Sequence, residues 1–218
     1  MKMNKLTAAL ISTLLVTAPL AHAQFSVNVG AIHVNPIDTA SAINENRALG
    51  LSADSDTQLG ITFDYHYNDN IVFELVAATP FSHTVQGEGG LAGNDIAKIK
   101  HLPPTLLAQY HFFDKSAKLR PFIGAGLNYT VFFDEEPSAA LKQTLGTDDV
   151  KVDLDSSFGL ALQLGLNYEI NDKWGLHVMV SKMDIDTDAT VYANGSQALT
   201  SDVEIDPFVA MIGAKYKF

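Results

Sequence analysis

The stretch V-E-I-D-P-F-V-A-M-I-G-A-K-Y-K-F, Val203 to Phe218, closes the chain and decides how the rest is read. From Phe208 onward, Phe208, Ala210, Ile212, Ala214, Tyr216 and Phe218 share one face of an extended strand, and Val209, Met211, Gly213, Lys215 and Lys217 share the other. The period is two, that of a strand, and not the 3.6 of a helix. A strand with one wholly apolar face and an aromatic end leaves a greasy edge in water. In a closed barrel within lipid that face has a solvent and the edge is gone.

Seven earlier segments follow the same rule. Gln24 to Val34 is the least regular. Gln58 to Tyr67 is the clearest, with Leu59, Ile61, Phe63, Tyr65 and Tyr67 opposing Gln58, Gly60, Thr62, Asp64 and His66. Ile71 to Phe81, Ile99 to Phe113, Arg120 to Phe133, Ser157 to Ile170 and a segment beginning at Trp174 complete the set. Short turns at Asn68 to Asn70, Asp114 to Leu119 and Asn171 to Lys173 alternate with long connections at Asn35 to Thr57, Thr84 to Lys98, Asp134 to Ser156 and Asp184 to Asp202. An even number of strands of about ten residues, with short turns on one side and long loops on the other, is the layout of a bacterial outer-membrane barrel. The expected fold is all-β, an eight-stranded antiparallel up-and-down transmembrane β-barrel over residues 24–218. A soluble sandwich or lipocalin-like barrel competes, but it would put the Gly, Gln, Asn and His rows outside and the apolar rows inside.

The first 23 residues fit that destination. Lys2 and Lys5 precede an apolar run from Leu6 to Leu20, and Ala21-His22-Ala23 is an A-x-A site, the pattern of a secretory signal peptide cleaved before Gln24. Removing it takes two lysines and no acids, so the net charge goes from −11 to −13 and nucleic acid is a poor partner. There is no Cys, hence no disulfide framework and no thiolate metal site. The remaining residues hold no apolar run of the roughly 18 a spanning helix needs.

Several blocks resemble a known family. T-Q-L-G-I-T-F-D-Y (57–65), N-I-V-F-E-L-V-A-A-T-P-F-S-H (70–83), H-L-P-P-T-L-L-A-Q-Y (101–110), R-P-F-I-G-A-G-L-N-Y-T-V-F-F-D (120–134), M-D-I-D-T (183–187) and D-P-F-V (206–209) are similar to the outer membrane protein W, or OmpW, family. The resemblance spans the second to eighth segments. It implies a monomeric eight-stranded barrel in the outer membrane with a narrow apolar lumen that admits small hydrophobic molecules. Val76 stands where that family often carries Leu.

With both ends and the short turns in the periplasm, each inward residue gets a height. Asp64, His66, Glu74, His111, Glu169, His177, Lys215 and Lys217 fall near the periplasmic end, where both signs of charge are expected to pair as a plug. Val76, Ala78, Pro103, Leu107, Phe132, Met179, Val209 and Met211 fall at mid-height and above, an apolar lumen proposed for solute. Pro80, Pro103 and Pro104 lack the N–H a ladder needs and, with the hairpin centred near Leu91, fall at one height; they mark either a weakened wall for lateral exit into lipid or a level just above the bilayer where the strands fray. An eight-stranded barrel is just wide enough to be filled by side chains or to hold one small ligand, so a filled structural or surface-receptor/adhesion barrel is the alternative.

Other motifs lead nowhere catalytic. His66, His111 and His177 are low in the lumen, and His83 and His101 have no evident Ser and acid partners, so no enzyme and no cofactor is expected. Asp184, Asp186 and Asp188 mimic an EF-hand start, but Ala189 and Gly195 stand where that loop needs Gly and Glu, so no metal site is expected. Most of the acids lie in the long connections, read as solvated or as binding cations that bridge lipopolysaccharide. Pro137 to Thr144 is expected to form one or two helical turns. Tyr65, Tyr67, Tyr110, Phe112, Tyr168, Trp174, Tyr216 and Phe218 form an outward aromatic girdle, and Phe218 is read as part of the signal for the barrel-assembly machinery.

Overall fold

The computed structural model describes residues 24–37, 40–43, 49–89 and 92–218. The expected signal segment, 1–23, lies outside them. In chain order the elements are β1 (Phe25–Asn35), β2 (Ala40–Ile43), β3 (Leu49–Ala53), β4 (Asp56–His66), β5 (Ile71–Ala78), β6 (Phe81–Gly89), β7 (Asp95–Leu102), β8 (Thr105–His111) and β9 (Leu119–Pro137). They continue with α1 (Ala139–Leu145), β10 (Val150–Leu154), β11 (Ser157–Glu169), β12 (Trp174–Met183), β13 (Asp186–Ala193), β14 (Ser196–Glu204) and β15 (Phe208–Lys217).

Eight of these close a barrel in the order β1-β4-β5-β8-β9-β11-β12-β15, and β15 returns to β1 from Ser26↔Lys217 to Asn35↔Phe208. All neighbours are antiparallel. Closure matters because lipid offers no hydrogen bonds to a strand edge. The alternation is that of a membrane barrel: outward Leu160, Leu162 and Leu164 are 63%, 64% and 59% exposed, while inward Ala161 and Gln163 are 1% and 2% exposed. The girdle is in place at the periplasmic rim, where Trp174 meets Tyr216 at 4.9 Å and Tyr216 meets Phe218 at 5.3 Å.

The long connections are more ordered than their composition suggests. β13 and β14 form a hairpin flanked by β10 and β2, a separate four-stranded sheet beyond the barrel's extracellular rim. The sixteen-residue stretch at the C-terminus therefore belongs to two sheets. Val203 pairs with Thr187 and Ser41 in the outer one, and the barrel strand begins only after Pro207. Asp206, at φ 37, makes the corner.

β3, β6 and β7 carry one side of the wall upward, with β7 docking on the upper half of β9 from Leu102↔Val131 to Ala97↔Pro137. The helix α1 is capped by Ser138, whose side chain accepts from the Leu141 N–H, and ends at Gly146 in the left-handed region. Its Leu141 is buried, so the helix packs inward over the barrel mouth.

Candidate functional site: a sealed lower barrel, a roofed cavity and a broken wall

The periplasmic half is a hydrogen-bonded ionic layer. Lys215 Nζ lies 3.1 Å from Asp64, whose carboxylate also accepts from Ser26 at 2.9 Å and from the Asn28 amide at 3.1 and 3.2 Å. One oxygen of Glu74 accepts from the amides of Gln109 and Gln163, both at 2.8 Å, and the other lies 3.7 Å from His177 Nε2. His66 bonds Ser26, His111 bonds Gln109, His177 bonds Asn167, and Lys217 reaches Glu169 at 2.6 Å. All eight residues expected near this end point inward and join this layer, with His66, Glu169 and Lys217 only partly buried.

Phe122 lies across the same layer, stacked between His111 at 4.9 Å and His177 at 5.5 Å. It fits because Gly165 faces it: a Cβ at Gly165 would sit 2.1 Å from Phe122 Cζ. Ser26, Asn28, Gln163 and Phe122 were not singled out by sequence, although period two places each on the inward face.

Above this layer the lumen is filled. Val76, Leu107, Met179, Val209 and Met211 are between 1% and 3% exposed and belong to one packed apolar cluster with Ile32 and Met183, against which Ala78 packs. Pro103 is buried at the same level, its carbonyl accepting from Thr105 and Asn128.

The open space lies higher. A cavity of about 290 Å³ sits under the outer sheet and α1, its wall dominated by side chains such as Val34, Ile99, Leu141, Val152, Val191 and Ile205. Of the eight residues proposed from sequence to hold solute, Phe132 lines this cavity; the other seven lie outside its wall. Most of the wall comes from the connections, where alternation was present but short: Thr187, Ala189 and Val191 face inward between the acids of β13, as Ser201, Val203 and Ile205 do between those of β14 and its exit.

The wall is interrupted where the prolines fall. The β5–β8 ladder ends at Val76↔Thr105 and the β6–β7 ladder begins at Phe81↔His101, so Ala77 to Pro80 and Leu102 to Pro104 do not pair with each other. Each side is held only from behind, Ala78 by Gly60, Thr79 by Leu59 and Leu102 by Val131. Pro80 and Pro104 are exposed on the outer surface and Pro103 is buried.

The first rung above this gap is a row of rings. Phe81, His101 and Phe132 pair across three strands, with His101 5.4 Å from Phe81 and 5.8 Å from Phe132. His101 and Phe132 line the cavity, so the row stands between it and the gap.

Asp184, Asp186 and Asp206 bring carboxylates within 4.8 Å of one another on the extracellular rim. Lys182 lies 3.4 Å from Asp206 and neutralises part of that charge.

A sequence model of the OmpW family matches residues 21–218. The chain belongs to the OmpW family. It is 42% identical to Outer membrane protein W of Vibrio cholerae serotype O1 over 222 residues, covering all of both chains. Its fold superposes on the crystal structure of outer membrane protein OprG from Pseudomonas aeruginosa with a TM-score of 0.82, at 39% identity and over 91% of this chain and 97% of that one. A more distant relative, the dibenzothiophene metabolism operon protein PahQ of Pseudomonas aeruginosa, is 32% identical over 81% of this chain and 79% of its own. As a member of the OmpW family the chain is an outer-membrane protein embedded in the bilayer, and its barrel is that of its relatives.

Proposed function

We propose that the protein passes small hydrophobic molecules from the cell surface into the outer membrane. Solute occupies the roofed cavity and leaves sideways at the gap between Pro80 and Pro103-Pro104. The observation that carries this reading is the pairing of a roughly 290 Å³ apolar cavity with an unpaired stretch of wall one rung below it. A cavity of 150 Å³ lined by apolar side chains stays dry and takes benzene, so this one is in the size range of two or three fused rings or a medium alkyl chain.

The downward path is closed twice, first by the packed cluster around Met179 and Met211 and then by the ionic layer around Asp64 and Glu74. Charges held this way cannot be parted without leaving one buried and unpaired, which costs several kcal/mol. Solute therefore reaches lipid through the wall instead of the aqueous periplasm. A relative named for dibenzothiophene metabolism supports an apolar, ring-bearing cargo.

The reading includes no chemistry on the solute, no cofactor and no resident metal. It includes cleavage before Gln24, recognition of the Phe218 end by the barrel-assembly machinery, and a monomer surrounded by lipid and lipopolysaccharide. The filled mid-section also favours a second reading, a structural or surface-receptor barrel whose acidic outer sheet is the working part.

The test is the initial uptake of a small hydrophobic dye by cells lacking their own copy. They carry this protein or its Ala189→Trp variant, which fills the cavity, at matched surface expression. Transport predicts that the wild type accelerates uptake and the filled variant does not. Equal rates in both and in the empty strain favour the receptor reading.

A further inference from the structure

Both edges of the gap are held from behind. On one edge the Thr79 N–H donates to the Leu59 carbonyl at 2.9 Å and the Ser82 N–H to the Asp56 carboxylate at 2.8 Å, both on β4. On the other the Tyr129 N–H of β9 donates to the Pro104 carbonyl at 3.0 Å. These bonds run away from the gap. The outward side chains around it are apolar, among them Leu59, Leu106, Leu127, Tyr129 and Val131. Lys100 and Asp134, an outward ion pair 3.1 Å apart, stand just above, past the Leu102↔Val131 and His101↔Phe132 pairs. The gap therefore opens below a charged rim and toward acyl chains, which offer a backbone carbonyl no donor.

One buried amide supplies what lipid does not. Asn128 is 0% exposed and lies on β9 opposite Thr105, the last rung before the proline pair. Its amide hydrogens point at Thr105 Oγ1, 2.9 Å away, and at the carbonyls of Pro103 and Pro104, 3.2 and 3.4 Å away. The Thr105 hydroxyl passes the bond on, donating to the Pro103 carbonyl at 3.0 Å. Carbonyl oxygens only accept, so the NH2 end of Asn128 must be the end that faces them. Thr130 fixes the other end, its hydroxyl donating to Asn128 Oδ1 at 2.7 Å. A polar side chain buried at this depth is costly unless its groups are used, and here both ends of the amide are.

We propose that Asn128 is the positioning residue of lateral exit: its amide occupies the carbonyls of Pro103 and Pro104 and so keeps the two edges of the gap apart. The inference rests on the lateral-exit reading and names what holds that route open. The prolines remove N–H donors, but their carbonyls remain and need a partner. The opposite edge, Ala77 to Phe81, carries N–H groups at every position except Pro80. With Asn128 in place the proline carbonyls are already taken. Without it they turn to the opposite edge, and the wall closes.

The test is a spin-label distance across the gap, read as dipolar broadening in lipid nanodiscs. The chain has no Cys, so labels go only where cysteines are placed. Ala77→Cys/Leu102→Cys flanks the gap, and Leu75→Cys/Leu106→Cys marks a paired rung just below it. With Asn128 native, the gap pair should be less broadened than the rung pair. Asn128→Leu, close in size and without donors, should raise the gap pair to the level of the rung pair and leave the rung pair unchanged. Dye uptake by cells carrying Asn128→Leu should fall toward that of the empty strain at matched surface expression. Gap broadening that is unchanged or reduced by Asn128→Leu overturns the proposal, whatever the uptake, and leaves lateral exit standing. Broadening that rises while uptake holds at the wild-type rate upholds the role of Asn128 and overturns lateral exit. A gap pair as broadened as the rung pair with Asn128 native overturns both. Should Asn128→Leu not fold, as judged by its migration before and after boiling, Thr105→Val decides by the same readings, since it removes the hydroxyl that links Asn128 to the Pro103 carbonyl.

Discussion

Replacing Lys215 by Met removes a cation from a carboxylate that the barrel has sealed from water. Asp64 and Lys215 side chains are 2% and 1% exposed and 3.1 Å apart. Removing one member of such a pair costs about 3–5 kcal/mol, because the other charge stays buried without its partner. Ser26 and Asn28 still donate to Asp64, which puts the expectation at the low end, about 3 kcal/mol. Asp64→Asn alone strands Lys215 in the same way. The double variant Asp64→Asn/Lys215→Met strands nothing, so it should be more stable than the two single losses predict by about 2 kcal/mol or more. The assay is urea unfolding in lipid vesicles, followed by the fluorescence of Trp174, the chain's single Trp, at the periplasmic interface. With a slope of about 2 kcal/mol/M, the Lys215→Met midpoint should fall by about 1.5 M. A fall of less than about 0.3 M, or a double variant equal to the sum of the singles, refutes the picture of a sealed, mutually dependent ion layer.

Gly165→Ala drives a methyl group into the Phe122 ring and should destabilise the barrel by about 1–3 kcal/mol, and Phe122→Leu in the same chain should recover most of the loss; paired urea titrations check both. Asp188 faces Asp202 directly across β13–β14, and burial, together with the hydrogen bond to Asp202 and its charge, holds the Asp188 carboxyl above its ordinary value. A carboxyl raised in the folded state opposes folding once both states are ionised, and its effect vanishes below the unfolded value. Asp188→Asn should therefore protect the amides of the outer sheet against hydrogen exchange above the carboxylate range, by about 0.5 kcal/mol or less, and change nothing in strong acid. Protection that is greater in acid would reverse that sign. Leu141→Ala takes the buried contact of α1 off the cavity roof and should raise exchange in α1 selectively, leaving the barrel strands protected.

Much of the barrel was legible because lipid imposes a strict rule. Each spanning strand must be apolar on alternate residues, and Leu160, Leu162 and Leu164 against Ala161 and Gln163 obey it without exception. Inward direction followed from the same parity, which is why Asp64, Glu74, His177 and Lys215 were found on the lumen side. What parity does not carry is volume. Nothing in the spacing of Met179, Val209 and Met211 tells whether three side chains leave a pore or fill it, and they fill it. The cavity was missed for a different reason. Much of its wall is assembled from β3, β6, β7, α1, β10, β13 and β14, short elements in the long connections, whose many acids made them look solvated. The alternation D-T-D-A-T-V over Asp186 to Val191 held the signal, diluted by its polar half. The prolines were readable for the opposite reason. An absent N–H has one consequence in a ladder, and the ladder stops where Pro80 and Pro103-Pro104 stand.

The central claim is that solute leaves through the wall and not down the barrel. The most direct measurement is dye uptake by cells carrying wild type, Pro80→Val/Pro103→Val/Pro104→Val, or Asp64→Asn/Lys215→Met, at matched surface expression. The triple variant restores the missing N–H groups beside the gap; the double variant loosens the lower seal without stranding a charge. Lateral exit predicts that the triple variant falls toward the empty strain while the double variant stays at the wild-type rate. A triple variant as fast as wild type, with uptake that rises when the ion layer is loosened, would place the route down the barrel axis and contradict the account.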